Sequence, residues 1–407
     1  MSASSSRGWI FVAVGFVFIA VALIANEWVL GAWLTVGGRV ANPASRFVLA
    51  MFDLGALIFG LALVVRRDRA PWRQMLLSVA ATLVTLLVAE GGLRLVFAVR
   101  SWTAPQSRRV AGVIGWRPVA NLLVERDLPA FGHIRYQTKR DGFRMYGDPS
   151  SPKVKVLVLG DSFTEGETVS SGETYYEQLS RLRPDLEIFG IGGGGYGTLQ
   201  EYMLLDEAVD EIKPAMVLVQ MHPNDLINNS HALESRSTTD NNQLTRPYWE
   251  NGRVAVKFPE NPAWGPLYNL ARHSYLLRLV NVNLTFLRAR SVGSIEKTAT
   301  AADPDIKEAV STTAELLRMM RKRAGVPVVV FSARPDHAFS FWSVSDVCNR
   351  AGVEFIPGVG EAVEAAHAAG EHVSGLPVDA HWNRRGHEIA AGVINTWLEQ
   401  NWARVSK

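Results

Sequence analysis

The chain has 407 residues, 48% of them hydrophobic and 20% charged, a formal net charge of +3, and a single cysteine, Cys348. That length allows two or three domains, or one large domain with an appendage, and the apolar share lies between that of a purely water-soluble protein and that of a polytopic transporter. One cysteine excludes an intrachain disulfide and a cysteine-based zinc site, and basic residues that form no long run argue against a nucleic-acid partner.

Three apolar stretches open the chain. Residues 9–25 carry no charge, 47–65 carry only Asp53, and 76–97 carry Glu90 and Arg94. Each approaches the roughly 20 residues with which an α-helix crosses ~30 Å of hydrocarbon. With almost no polar face, they read as membrane spans in preference to buried core helices. Residues 1–100 are therefore expected to form an anchor of three transmembrane helices, with the lipid bilayer as partner. Arg66, Arg67, Arg69 and Arg73 crowd the loop between the second and third stretches, and Arg7 precedes the first. By the positive-inside rule this places the N-terminus in the cytoplasm and everything after about residue 100 outside it. A signal peptide fits less well, because only Arg7 precedes the first stretch and no A-x-A site follows it. Asp53 sits near one end of its stretch, where a solvated or helix-pairing role is expected. Glu90 and Arg94, four residues apart, are expected to pair on one helix face.

Residues 101–152 read as a connecting segment, and 153–407 as one α/β domain. Short β-branched runs at 154–159, 186–191, 215–221, 326–331 and 353–356 alternate with helix-compatible stretches at 174–183, 198–212, 304–323, 344–351 and 385–402. Strands alternating with helices predict βαβ units and a parallel sheet covered on both faces. Residues 231–300 break the alternation with Pro247, Gly252, Pro259, Pro262 and Pro266, and read as an insertion with a hairpin and some helix.

In open α/β sheets, ligands bind beyond the carboxyl ends of the strands, and unusual residues stand at these ends. After the first strand comes Gly160-Asp161-Ser162-Phe163-Thr164-Glu165-Gly166. After the second comes the cluster Gly190-Ile191-Gly192-Gly193-Gly194-Gly195-Tyr196-Gly197-Thr198, and after the third His222-Pro223-Asn224-Asp225. Before the last helix stands Asp379-Ala380-His381-Trp382-Asn383. A serine on a tight strand-to-helix turn presents its hydroxyl above the sheet, and the helix N-terminus behind it favours developing negative charge.

These four segments, in this order, resemble the SGNH/GDSL hydrolase family over roughly residues 110–400. The stretch Asp141-Gly142-Phe143-Arg144 ahead of the serine belongs to the same pattern. The resemblance implies a flavodoxin-like three-layer α/β/α domain that hydrolyses esters. It implies Ser162 as nucleophile, His381 as general base and Asp379 as the acid that orients it. It further implies an oxyanion hole made by the Ser162 and Gly195 backbone N–H groups and the Asn224 side-chain amide. Three positions depart from the common pattern. Gly190 stands where many members have asparagine, His222 stands where glycine is usual, and Asp379-x-His381 is one residue shorter than Asp-x-x-His.

Other readings compete with this one. Gly190-x-Gly192-x-x-Gly195 formally fits a dinucleotide fingerprint, but it follows the second strand and no strand ending in an acid comes about twenty residues later. His222 and His387 read as structural histidines, and Asp336-His337 as a second candidate base pair that lacks the sequel found after His381. Trp249, Trp264, Trp342 and Trp382 could stack on sugars, although burial is the usual fate of tryptophan. No cofactor and no metal site is expected. The expected substrate is an acylated polysaccharide, glycolipid or lipid of the cell surface, with an O-acyl group, O-acetyl foremost, as the one removed. An O-acyltransferase using the same triad and a non-catalytic glycan-binding scaffold are the alternatives.

Overall fold

The structure is a computed structural model that describes residues 3–24, 26–29, 43–65, 72–103, 108–237, 240–242, 244–259, 273–277, 295, 300–336 and 342–405. The chain divides into two compact units, residues 1–105 with 263–292, and residues 106–262 with 293–407.

In the first unit, helices α1 (Ala3–Ile24), α2 (Pro43–Val65) and α3 (Trp72–Thr103) form over the three apolar stretches. Helices α1 and α2 cross at Gly15 and Gly60, where a Cβ on either residue would come within 2.7 Å of the other's carbonyl oxygen. Phe18 and Phe59 meet edge to face beside that crossing, with centroids 4.7 Å apart. Glu90 and Arg94 pair at 2.8 Å as expected. The Glu90 carboxylate also accepts from the Ser274 hydroxyl and from the backbone N–H groups of Tyr275 and Leu276.

The expectation of three membrane-spanning helices, and with it the multi-pass membrane localisation, does not hold. Among the described residues, no helix is long and apolar enough to cross a membrane. Helix α1 ends at Ile24, and charges divide α2 and α3, so the charge-free runs inside the three helices are 8–24, 54–65 and 74–89, each short of the roughly 20 residues a span needs. Arg66, Arg67 and Arg69, which carried the orientation, lie outside the described residues, as does Trp264 in the insertion.

The second unit is built on a five-stranded parallel sheet. Four short strands come first: β1 (Arg108–Val110) pairs antiparallel with β2 (Trp116–Pro118), and β3 (Leu123–Leu128) with β4 (Gly132–Gln137). The sheet itself comprises β5 (Val154–Gly160), β6 (Leu186–Gly192), β7 (Met216–Met221), and, beyond the hairpin β8 (Arg246–Glu250) and β9 (Arg253–Lys257), β10 (Val328–Ser332) and β11 (Glu354–Ile356). Its spatial order is β6-β5-β7-β10-β11, the 2-1-3-4-5 order of flavodoxin-like folds.

Alternation along the strands divides the core. Leu157, Leu159, Phe189, Ile191, Val217, Val219 and Val330 enter one buried cluster, while Val156, Val158, Ile188, Leu218, Val329 and Phe331 enter the other. Helices α6 (Thr198–Ile212), α9 (Pro304–Ala324) and α10 (Val344–Ala351) cover the first cluster. Helices α5 (Tyr175–Leu182), α11 (Val359–Ala368) and α12 (Arg384–Val405) cover the second. Side chains pointing alternately to opposite faces make both faces apolar, which forces this three-layer arrangement. The sequence signals for α9 are legible in its caps. Asp303 accepts from the Asp305 N–H, Pro304 opens the helix, and Gly325 closes it at φ 64°.

Candidate active site

Strand β5 ends at Gly160, and the chain turns at Asp161 into the one-turn helix α4 (Ser162–Glu165). The Asp161 carboxylate caps this helix by accepting from the Phe163 N–H at 2.9 Å, and its own N–H donates to Gln220 Oε1 at 3.2 Å, from neighbouring β7. The cap places Ser162 at the first helical position, above the carboxyl end of β5, an interior strand of the sheet.

Across from it, the loop before α12 presents His381. Its Nε2 lies 2.7 Å from Ser162 Oγ, and its Nδ1 lies 2.6 Å from Asp379 Oδ1. The loop is held by backbone bonds from Asp379 and Val378 to Gly375 O, and by the Thr168 hydroxyl donating to Trp382 O at 2.9 Å. The Phe163 ring packs against both imidazoles, 4.9 Å from His381 and 5.2 Å from His222.

Asn224 opens the short helix α7 (Asn224–Asn228), just beyond β7 and ahead of α8 (His231–Arg236). Its Oδ1 lies 2.7 Å from His222 Nδ1. Burial depresses the His222 pKa to about 3, so this ring is neutral. The Asn224 backbone N–H lies 3.3 Å from the same Nδ1, and the Asn224 side-chain amide nitrogen has no partner among the described residues. Gly195 has φ +76°, a left-handed conformation that suits glycine. Among the described residues, neither the Gly195 nor the Ser162 backbone N–H has a partner. The three donors expected from the sequence are thus uncommitted among the described residues.

Charge around His381 is arranged in layers. Burial works against the protonated ring, but the Asp379 bond and charge, with the charges of Asp161 and Glu165, outweigh it and hold the His381 pKa above its ordinary 6.5. The same hydrogen bond lowers the pKa of Asp379. Beneath the serine turn, Asp161, Glu201 and Asp225 are each 0% exposed. Burial raises all three, Glu201 and Asp225 well above the carboxylate range.

The departures from the family pattern have local causes. Gly190 lies under the Tyr176 ring, where a Cβ would come within 2.6 Å of a ring carbon, so no asparagine fits. His222 replaces glycine and takes up Asn224. His387, read as structural, is buried and its Nδ1 accepts from the Tyr175 N–H at 3.2 Å. The rival base His337 lies outside the described residues, and the neighbouring Asp336 carboxylate accepts from the Ser345 N–H and hydroxyl. Trp382 and Trp342 are buried.

Several residues around the site were not singled out from sequence. Glu165, three residues after Ser162, accepts from the Gly194 N–H at 2.5 Å. Arg144, in the upstream Asp141–Arg144 stretch, donates to the carbonyls of Gly166 and Val169 and lies 4.4 Å over the Tyr136 ring, bracing the segment after α4. Trp116 and Arg246 reach the glycine loop from β2 and β8. Glu165 could have been found from its spacing to the serine, whereas Trp116 and Arg246 carry no local signal.

A family model described as GDSL-like lipase/acylhydrolase matches residues 156–394. No match is found among the curated proteins. Solved structures similar to this chain include a member of the lipolytic protein G-D-S-L family from Veillonella parvula DSM 2008. It is 10% identical, with 62% of this chain and 99% of that one covered at a TM-score of 0.34. A family 3 carbohydrate esterase from Clostridium thermocellum is 12% identical, with 63% and 100% covered at 0.36. A two-domain esterase active on acetylated mannans is 12% identical, with 62% and 50% covered at 0.35.

Proposed function

The chain belongs to the GDSL-like lipase/acylhydrolase family, which makes it an ester-hydrolysing enzyme, and we propose that it works as a serine esterase through an acyl-enzyme on Ser162. The observation that carries this reading is the unbroken chain of contacts from Asp379 through His381 to Ser162, at 2.6 and 2.7 Å.

Ser162 Oγ attacks the ester carbonyl as its proton passes to His381 Nε2, and the imidazolium that forms is stabilised by the Asp379 carboxylate. The oxyanion is taken up by the Ser162 and Gly195 N–H groups and the Asn224 amide. As the tetrahedral intermediate collapses, the bond to the alkoxy oxygen breaks and His381 returns its proton to the leaving alcohol. Water, deprotonated by the same ring, then attacks the acyl-enzyme and releases the carboxylic acid and free Ser162.

The substrate class proposed is an O-acyl ester on a hydrated carrier, an O-acetylated glycan foremost. Beside the His381 loop, an open trough is lined by Phe131, His133, Ser170, His372, Asn383 and Arg384 among others. Polar and charged walls around one aromatic ring suit a sugar better than a long acyl chain. The test is to measure release of acetate from acetylated oligosaccharides and from simple acetyl esters, with Ser162→Ala as control. Release that is absent from the wild type on every acyl ester, or that persists in Ser162→Ala, overturns the proposal.

A further inference from the structure

The proposed oxyanion donor Gly195 N–H lies in a run of four glycines, 192–195, whose backbone has little conformational preference of its own. Something outside the run must aim it. The Gly195 N–H shares a peptide plane with the Gly194 carbonyl, and in a trans peptide the two point in opposite directions. Whatever fixes the Gly194 oxygen therefore fixes the direction of the Gly195 N–H.

That oxygen accepts from the indole Nε1–H of Trp116 at 3.0 Å. Trp116 is buried and is itself held by the loop it serves. Its carbonyl accepts from the Tyr196 hydroxyl at 2.6 Å, and the two rings lie 5.7 Å apart. The Arg246 guanidinium lies 5.2 Å from the indole and donates to the Gly195 oxygen at 2.6 Å. Arg246 is fully buried and held by Glu234, which is equally buried, at 3.0 Å. On the other side of the loop, Glu165 takes the Gly194 N–H. Both carbonyls of Gly194-Gly195 and the first N–H are thus fixed by side chains, and the Gly195 N–H is the polar group left over.

Resting on the site reading above, we infer that Trp116 is a positioning residue for ester hydrolysis. Its indole N–H aims the Gly195 N–H at the oxyanion, and Arg246 braces the next peptide. Trp116 lies outside the residues that the family model matches, 156–394, so the segment ahead of the family domain completes its catalytic loop.

Trp116→Phe tests this directly, because it keeps a buried ring and removes only the donor. Each variant is titrated with a fluorophosphonate to completion, so that turnover is expressed per reactive serine. A merely structural role would lower the number of reactive sites and leave turnover at each unchanged. The expected result is a kcat per site about 10- to 100-fold lower on an acetyl ester, the scale on which a misplaced catalytic group acts, with KM nearly constant. Wild-type turnover per site in Trp116→Phe, alongside an inactive Ser162→Ala, overturns the inference and leaves the site reading intact. An active Ser162→Ala overturns the site reading itself. Should Trp116→Phe fail to fold, Tyr196→Phe, which releases the Trp116 carbonyl, decides by the same measure: a kcat loss per site supports the inference and wild-type turnover overturns it.

Discussion

One oxygen of Asp379 serves His381 twice. Oδ1 accepts from the His381 backbone N–H at 2.9 Å and lies 2.6 Å from the ring Nδ1. A side-chain oxygen bonding to a backbone N–H two residues ahead closes an Asx-type turn, and that turn brings the imidazole back over the carboxylate. The two-residue spacing Asp379-x-His381 reaches the ring nitrogen through that turn. In the proposed reading it also couples loop geometry to ring orientation, since one group sets both.

Replacing that oxygen by an amide separates the two roles. In Asp379→Asn, Oδ1 can still accept from the backbone N–H, but an amide can hold the wrong imidazole tautomer. Turnover is expected to fall on the order of 10⁴-fold, with KM little changed. Steady-state kinetics on an acetyl ester check this, and a loss below about tenfold, ~1.4 kcal/mol of barrier, would mean that Ser162 and His381 act as a dyad.

The pH profile carries its own sign. His381 must be neutral to accept the serine proton, and its pKa is held above 6.5. Activity is therefore expected to fall as pH drops through that raised value, so the acid limb of kcat/KM lies above 6.5. Removing the Asp379 charge takes away the leading contribution that raises it, while burial, which lowers it, remains. The limb in Asp379→Asn should move to lower pH, and an unmoved limb would assign it to another group.

Asn224 offers a test of the oxyanion site that leaves the triad untouched. Its Oδ1 lies 2.7 Å from His222 Nδ1, its amide nitrogen is the proposed oxyanion donor, and Asn224→Ala removes it. Loss of one such donor costs about 10²–10³ in kcat in precedent. An effect confined to KM would reassign Asn224 to substrate binding.

What could be read from the sequence follows the range of the interactions involved. The parallel sheet was legible because alternating β-branched runs and amphipathic helices are local patterns, and α6 (Thr198–Ile212) and α10 (Val344–Ala351) form where they were expected. The contact of Ser162 with His381 spans 219 positions, yet it was anticipated because each residue stands in a recognisable segment. Trp116 and Arg246 act on a loop 78 and 51 residues away with no motif around them, so only tertiary structure exposes them. The helices at the start failed differently. Hydropathy locates α1, α2 and α3 but not their usable length: α1 ends at Ile24, and Asp53 in α2 and Glu90 and Arg94 in α3 divide the apolar runs.

The buried carboxyls beneath the serine make a prediction about stability. Glu201 is 0% exposed, and neither carboxylate oxygen has a hydrogen-bond partner among the described residues. Burial raises its pKa well above 4.5, with Asp225 and Asp161 adding to the shift. A carboxyl in this setting keeps its proton in the folded chain and loses it in the unfolded one. Between 4.5 and the raised value the folded state then binds the extra proton, so stability falls as pH rises, by up to about 1.4 kcal/mol per pH unit for one such group. Glutamine resembles the protonated acid in shape and cannot titrate. Glu201→Gln is therefore expected to fold with near-wild-type stability at pH 5 and to lose less stability than the wild type between pH 5 and 8. Thermal unfolding across that range checks it. Parallel losses in the two proteins would mean that Glu201 is ionised in the fold, or that its proton is not what the pH removes.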